Sequence, residues 1–396
     1  MTIAGLVSRS PLAFAFWAAC VIYTAAYATA PARDVTAINV VPLTLRAPLA
    51  GFNRMVVTVT VCEPGTSHCA TIDNIMVDTG STGLRLERSA VPVDLILPVF
   101  ASTTGKPLAE CLRFVHDDAW GPLYRTDLHI GGLVATSLPI QIIGSDLALQ
   151  PVGCPVSTAK PTSNGTLGVG PHVLDCQGVC AQDEGRPGVF VWDAGSWQPL
   201  PGAVPTESRL PNPVTFFAQH GNGVVFEVPA SPEGGADEIV GTLTFGVGTS
   251  ANNRIRRAKL LRLDTTGYFA TRFDGVDFPR SYIDSGTETY IFTDDGLPRC
   301  PGMVWAFCVS PSRMLEAMMV GTDGRQISVP FIVGDYRGAL DRRVGAWDGF
   351  AEVAERSSNA FVWGAPFFFG RRVALVFDGK VTSDTGAELG PFYALP

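Results

Sequence analysis

Ile75-Met76-Val77-Asp78-Thr79-Gly80-Ser81 is the stretch whose reading decides the fold. Three apolar residues run into an acid, and Thr, Gly and Ser follow at once. A short apolar run of this kind reads as a buried strand. A carboxylate at its end costs free energy unless it is hydrogen-bonded or used chemically. Gly80 lets the backbone turn sharply and come close to another segment. The hydroxyls of Thr79 and Ser81 can donate hydrogen bonds that hold a carboxylate in place.

The phrase returns at Tyr282-Ile283-Asp284-Ser285-Gly286-Thr287. A third copy, Asp384-Thr385-Gly386, follows Thr382 and Ser383 instead of an apolar run, which predicts a surface turn. A second echo accompanies the first two copies. Leu167-Gly168 lies in Asn164-Gly165-Thr166-Leu167-Gly168-Val169-Gly170, downstream of Asp78, and Phe361-Val362-Trp363-Gly364 lies downstream of Asp284. The order "apolar strand, Asp, hydroxyl, Gly, then apolar pair and Gly" therefore occurs twice, which is a duplication of whole lobes and not a short-period array.

These residues resemble the pepsin-like aspartic peptidases, in which each lobe contributes one Asp-Thr/Ser-Gly loop supported by an apolar-apolar-Gly strand. The loops Asp78-Thr79-Gly80-Ser81 and Asp284-Ser285-Gly286-Thr287 match residue by residue, and Gly168 and Gly364 match the two supports. Weaker likeness runs through Gly241–Gly246 and Gly364–Gly370. The resemblance implies a mainly β, bilobal fold: two pseudo-symmetric β-barrel-like lobes with a central cleft. It implies that Asp78 and Asp284 form a catalytic dyad, that Ser81 and Thr287 bond their outer oxygens, and that Thr79 and Ser285 tie the loops together. The phrasing around Val61–Thr66, Asp78–Leu86, Trp120-Gly121-Pro122, Ser137–Gln141 and Pro366–Arg372 is also similar to a narrower family of exported Gram-negative bacterial proteins with no assigned function.

Two aspartates facing each other cannot both ionise easily, so one proton is shared and the pair offers a base and an acid together. The ionised partner can take a proton from water while the protonated one supports the oxyanion and the leaving amine. The pair titrates as a unit, so neither residue is the base on sequence grounds.

The sequence departs from the family pattern twice. Arg85 stands seven places past Asp78, where pepsin-like enzymes commonly carry an aromatic residue, so it is expected to remodel the pocket nearest the acids. A hairpin closing over substrate is expected within residues 111–132, with strands over 111–115 and 123–130 and a tip at 117–122. The Tyr usual in that hairpin has no clear counterpart; Phe114 or Trp120, beside Gly121, is the candidate, with plain packing as the alternative for Trp120.

Composition agrees with such a fold. The chain has 396 residues, 46% apolar and 17% charged, enough for two lobes: 35–210 with the first Asp loop and 211–396 with the second. The net charge of −8 argues against nucleic acid as a partner. Residues 1–28 have the form of an export signal: Arg9 is their only charge, an apolar run covers Pro11–Tyr23, and Ala26-Tyr27-Ala28 is a small-x-small site. A retained anchor helix is the alternative and would be the only membrane contact. Without Cys20, eight cysteines remain, an even number that reads as disulfides in an exported chain. Proximity suggests Cys62–Cys69, Cys176–Cys180 and Cys300–Cys308, leaving Cys111–Cys154. The five histidines are scattered without ligand spacing, so no metal is expected, and nothing calls for a cofactor.

Alternating apolar residues predict paired strands at 39–45 and 55–61 around a turn at Gly51-Phe52-Asn53. Further strands are expected at 136–143, 223–228, 241–246, 327–333 and 373–377, with 223–228 and 241–246 in a sheet bridging the lobes. Residues 171–212 are expected to be an insertion or linker between the lobes, 259–273 a hairpin and 311–319 an amphipathic helix. The basic run Arg254–Lys259 reads as a solvated face. No Gly-x-Ser-x-Gly, phosphate loop or His-Glu-x-x-His is present. Two functions follow: an exported, periplasmic or extracellular aspartic endopeptidase, monomeric, taking a peptide or protein in its cleft; or a silent protein of the same fold that binds a peptide, glycan or partner enzyme.

Overall fold

The computed structural model describes residues 37–396 apart from 48–50, 115–117, 145–149, 152–153, 155–160, 176–187, 201–203, 356–357 and 387. The signal segment and the Cys176–Cys180 pair expected from spacing lie outside the described residues.

The two copies of the motif fold alike because the same apolar-to-Asp phrase builds the same local topology. In the first half, the strand Cys69–Asp78 runs parallel to Gly165–Val169, with Asp78 beside Gly168. Gly165–Val169 is antiparallel to Thr82–Glu87, which is in turn parallel to Leu133–Ile143. In the second half, Val276–Ile283 is parallel to Val362–Trp363, with Ile283 beside Trp363. That strand is antiparallel to Tyr290–Phe292, which is parallel to Ala351–Val353. Each Asp is thus delivered at a strand end and backed by the apolar-Gly strand of its own half. At Gly364 the approach leaves no room for a side chain: a Cβ would lie 2.0 Å from the Thr289 carbonyl oxygen.

An antiparallel platform joins the halves, in the order Val40–Arg46, Glu238–Phe245, Gly223–Val228, Arg371–Val376, Phe392–Leu395, Lys259–Arg262. Val40–Arg46 also pairs with Arg54–Cys62, so the first hairpin of the chain is stitched into the second half. Its tip docks there too. Phe52 stacks on Phe350 at 3.8 Å, and Asn53, in the left-handed region that Asn tolerates, exchanges hydrogen bonds with Trp347 and donates to the Glu288 carbonyl. One apolar core runs through both halves. Beneath the Asp284 loop it is aromatic: Phe361 stacks on Phe292 at 4.8 Å and on Trp363 at 4.4 Å, and the Trp363 indole donates to Thr271 Oγ1.

Several expectations are corrected. Residues 311–319 are not a helix but part of the strand Met303–Val320, paired with Gln326–Asp335. Ala317 and Met319 are buried and Glu316 is exposed, so the strand period of two wins once a partner supplies the ladder; Pro311 falls at a register shift. The described residues contain one α-helix, Tyr336–Asp341, which the periodicity did not signal. Residues 259–273 are not a hairpin: Lys259–Arg262 completes the platform, whereas Phe269–Phe273 pairs with Val276–Ile283.

The hairpin of the first half also differs. Asp118–Ile130 is one continuous strand against Leu108–Arg113, so Trp120, Gly121 and Pro122 lie in the ladder and not at a tip. Trp120 is fully buried, edge-on to Phe190 at 5.3 Å and Trp197 at 5.7 Å. Those partners come from Val189–Asp193 and Ser196–Pro199, two strands that the expected linker adds to the outer edge of Leu108–Arg113. Burial of this large apolar ring explains why Trp120 packs into the lobe. Phe114, half-buried, directly follows the strand Leu108–Arg113.

Disulfides join Cys62–Cys69, Cys111–Cys154 and Cys300–Cys308, which fits an oxidising, exported environment. Among the described residues no helix is long and apolar enough to cross a membrane. Asp384, from the third Asp-Thr-Gly, is not a bare turn residue. Its carboxylate caps the Ile255 amide and pairs with Arg254 and Arg256, so the basic run is partly neutralised.

Two measurements check this architecture. Replacing Cys111 and Cys154 by Ser opens a loop of 43 residues and is expected to lower stability by about 4 kcal/mol in the chain-entropy estimate, read by urea denaturation. Phe361→Ala is expected to cost about 3–5 kcal/mol through the cavity it leaves in the aromatic core, read in the same way.

Candidate active site

The site grows from four reciprocal hydrogen bonds between the two loops. Thr79 Oγ1 donates to the Ile283 carbonyl at 2.9 Å and accepts from the Ser285 amide at 2.9 Å. Ser285 Oγ donates to the Val77 carbonyl at 2.7 Å and accepts from the Thr79 amide at 3.0 Å. Each hydroxyl reaches across to the other loop, so neither loop can move without breaking buried bonds.

On this base stand the two acids. Asp78 Oδ1 accepts from the Gly80 amide at 2.7 Å, and its Oδ2 from the Ser81 hydroxyl. Asp284 Oδ1 accepts from the Gly286 amide at 2.8 Å, and its Oδ2 from the Thr287 hydroxyl at 2.7 Å. The glycines face across the symmetry. A Cβ on Gly80 would lie 2.8 Å from the Asp284 carboxyl carbon, and one on Gly286 would lie 2.7 Å from Asp78 Oδ1. Only glycine lets the loops approach this closely.

The same Cβ on Gly286 would lie 3.2 Å from Asp284 Oδ1, so the two carboxyls converge on one point, and both residues are largely buried, 4% and 8% exposed. Burial first, and then the charge of Asp78, push Asp284 up to about 8, against weaker opposing bonds from Thr287 and Gly286. Asp284 therefore keeps its proton through neutral pH. Tyr282, two residues before Asp284 and on the same strand face, is pushed up to about 12 by burial and by nearby charge, that of Asp284 foremost. Its ring lies edge-on to Tyr268 at 5.8 Å.

All eight residues expected at the loops, the two acids and their Thr, Gly and Ser neighbours, come together, with Gly168 and Gly364 behind them. Of the hairpin candidates, Trp120 and Gly121 are built into the ladder of the lobe, and Phe114 follows Leu108–Arg113. Arg85 does not open toward the acids either. It is fully buried and bonded to Gln141, Thr82, Glu110 and Asp175. Sequence reasoning missed Tyr393, whose hydroxyl donates to the Ile283 carbonyl at 3.2 Å from the platform below. It also missed the Arg54–Glu288 ion pair, which joins the first hairpin to the residue after Thr287. Neither carries a local signal, because each is made by segments far apart in the chain. Among the described residues no group of three or more potential ligands is gathered as a metal site requires.

The arrangement defines a two-lobed fold with one Asp loop from each half. The structure is similar to the crystal structure of an aspartic proteinase from Irpex lacteus, with a TM-score of 0.50 and 14% identity, covering 90% of this chain and 96% of that one. At that identity the likeness establishes the pepsin-like fold and nothing finer. The chain belongs to the family described as "Protein of unknown function (DUF3443)", whose model matches residues 35–395. No curated protein matches it.

Two outcomes test the site's energetics. The ordinary value of the Asp284 carboxyl is 3.8 and its folded value is about 8. As pH rises between these, the unfolded chain loses its proton first, so this group costs stability increasingly, by at most about 1.4 kcal/mol per pH unit. Stability is fullest below the lower value, and Asp284→Asn is expected to flatten this slope in denaturation curves taken across pH. Thr79→Val leaves the Ser285 amide without its Thr79 acceptor and takes one donor from the Ile283 carbonyl, which keeps Tyr393, and is expected to cost about 1–3 kcal/mol, with Thr79→Ser close to wild type.

Proposed function

We propose that this chain is an exported aspartic endopeptidase that hydrolyses peptide bonds with a water molecule activated by Asp78 and Asp284. The observation that carries the reading is the pair of buried carboxyls that converge on one point from two loops of the same build, each held by a glycine amide and a hydroxyl. The ionised carboxylate accepts a proton from water, and the water oxygen attacks the scissile carbonyl carbon. The protonated carboxyl donates to the carbonyl oxygen as charge develops, and the proton taken from water passes to the leaving amine. The Ser81 and Thr287 hydroxyls and the glycine amides hold the carboxyl oxygens in fixed positions throughout. The substrate is an extended peptide or protein segment in the interlobe cleft. The protein acts as a monomer in the periplasm or outside the cell, an assignment that the three disulfides favour.

A second reading, a silent pepsin-fold protein that binds a peptide, glycan or partner enzyme, is favoured by the near-complete burial of both acids. Cleavage of a denatured protein mixture from about pH 3 to 9 separates the two. The peptidase reading expects activity that falls above the Asp284 value of about 8, where its proton is lost. It also expects a loss of about a hundredfold or more in both Asp78→Asn and Asp284→Asn. A folded, oxidised wild type that cleaves nothing across this range establishes the binder instead.

A further inference from the structure

Arg85 belongs to a buried charge cluster that the chemistry above does not use. It sits on Thr82–Glu87, Glu110 on Leu108–Arg113, Gln141 on Leu133–Ile143 and Asp175 beyond Gly165–Val169. Arg85 and Gln141 are 0% exposed, Glu110 1% and Asp175 5%, so every charge must be met inside the protein. Arg85 Nη2 is 2.9 Å from both Glu110 Oε2 and Asp175 Oδ2, and Nε donates to Gln141 Oε1 at 3.0 Å. One cation faces two carboxyls, and the set is neutral with one proton. Burial first, and then the Glu110 charge, push the Asp175 carboxyl well above its usual range.

The cluster reaches the acids through the backbone. Arg85 Nη1 donates to the Thr82 carbonyl at 2.6 Å. Thr82 follows Ser81, whose hydroxyl holds Asp78 Oδ2. On the other side, Gln141 Nε2 donates to the carbonyls of Glu110 and Gly121, at 2.8 and 3.3 Å, which face each other across the hairpin ladder. Asp175 Oδ1 accepts from the Leu210 amide at 3.0 Å. The exit of the Asp78 loop, both strands of the hairpin and the segment leaving the first half thus converge on one guanidinium.

Resting on the peptidase reading, we propose that Arg85 is a positioning residue that fixes the exit of the Asp78 loop and the root of the Leu108–Ile130 hairpin in one geometry. Stability alone does not call for this device, because a well-packed apolar set of similar volume is often as stable as a buried ion cluster. Planar, directional bonds supply what apolar contact lacks, a set distance between the hairpin and the loop.

The test compares Arg85→Met/Glu110→Leu/Asp175→Leu, an apolar replacement, with Glu110→Ala and the conservative Glu110→Gln. The expected result is a folded triple variant and a folded Glu110→Ala, each with kcat lowered about tenfold to a hundredfold per folded molecule. KM and the pH limb of activity shift with it, and Glu110→Gln stays near wild type. Wild-type kcat, KM and pH profile in the triple variant overturn the proposal; if that variant does not fold, the same result in Glu110→Ala does so. If wild type itself cleaves nothing, the peptidase reading has failed, and the positioning role is read from the infrared carbonyl band of protonated Asp284, assigned by its loss in Asp284→Asn. A titration midpoint moved by about half a pH unit or more in the same variants supports it, and an unmoved midpoint overturns it.

Discussion

Two carboxyls buried against each other cannot both be charged, and the structure depends on that constraint. Bringing them together requires an arrangement that repels in its ionised form, so something else must hold the loops. The Thr79 and Ser285 hydroxyls do this from below, each donating to one backbone carbonyl and accepting from one amide of the opposite loop. Because all four bonds are buried, breaking them costs free energy that water does not return, and the two loops behave as one body. Burial and the Asp78 charge then hold Asp284 in its protonated form, which relieves the repulsion.

Around this centre, the halves are joined in several independent ways. The platform carries strands from both halves in one antiparallel ladder, and Tyr393 on it reaches up to the Ile283 carbonyl. The first hairpin plugs Phe52 and Asn53 into the second half, where the Arg54–Glu288 pair lies one residue past the Asp284 loop. Below Asp284, stacked aromatic rings give the supporting strand a rigid base. In the first half, a buried charged cluster lies beside the exit of the Asp78 loop. The pseudo-symmetry is therefore one of backbone topology, while each half uses its own chemistry to hold the same geometry.

Much of this was legible in the sequence wherever a local rule applied. The apolar-to-Asp phrase located both strand ends, and its repetition implied two lobes, because a strand that ends in a hydrogen-bonded acid has the same local requirements wherever it occurs. Close cysteine spacing was enough for Cys62–Cys69 and Cys300–Cys308, since short loops bring their ends together at small entropic cost, whereas Cys111–Cys154 was the pair that remained. The segment 311–319 shows where local reading ends. Its apolar residues satisfy both a helical and an alternating pattern, and only the partner strand Gln326–Asp335 selects between them. Trp120 shows the same limit: a Trp-Gly-Pro run reads as a turn until Phe190 and Trp197, from a distant segment, bury its ring.

The sequence by itself determined the paired Asp loops, their hydroxyl and glycine neighbours, and the all-β, two-lobed class, because these follow from residue types at short, fixed spacings. Tertiary structure alone decided the partners of Arg85, the continuity of the hairpin strand through Trp120, and the placement of Tyr393 beneath the loops. Each of those is a contact between segments far apart in the chain, and burial sets its energy. A buried guanidinium must find its carboxylates wherever the fold places them, and no local pattern in the sequence encodes where that is.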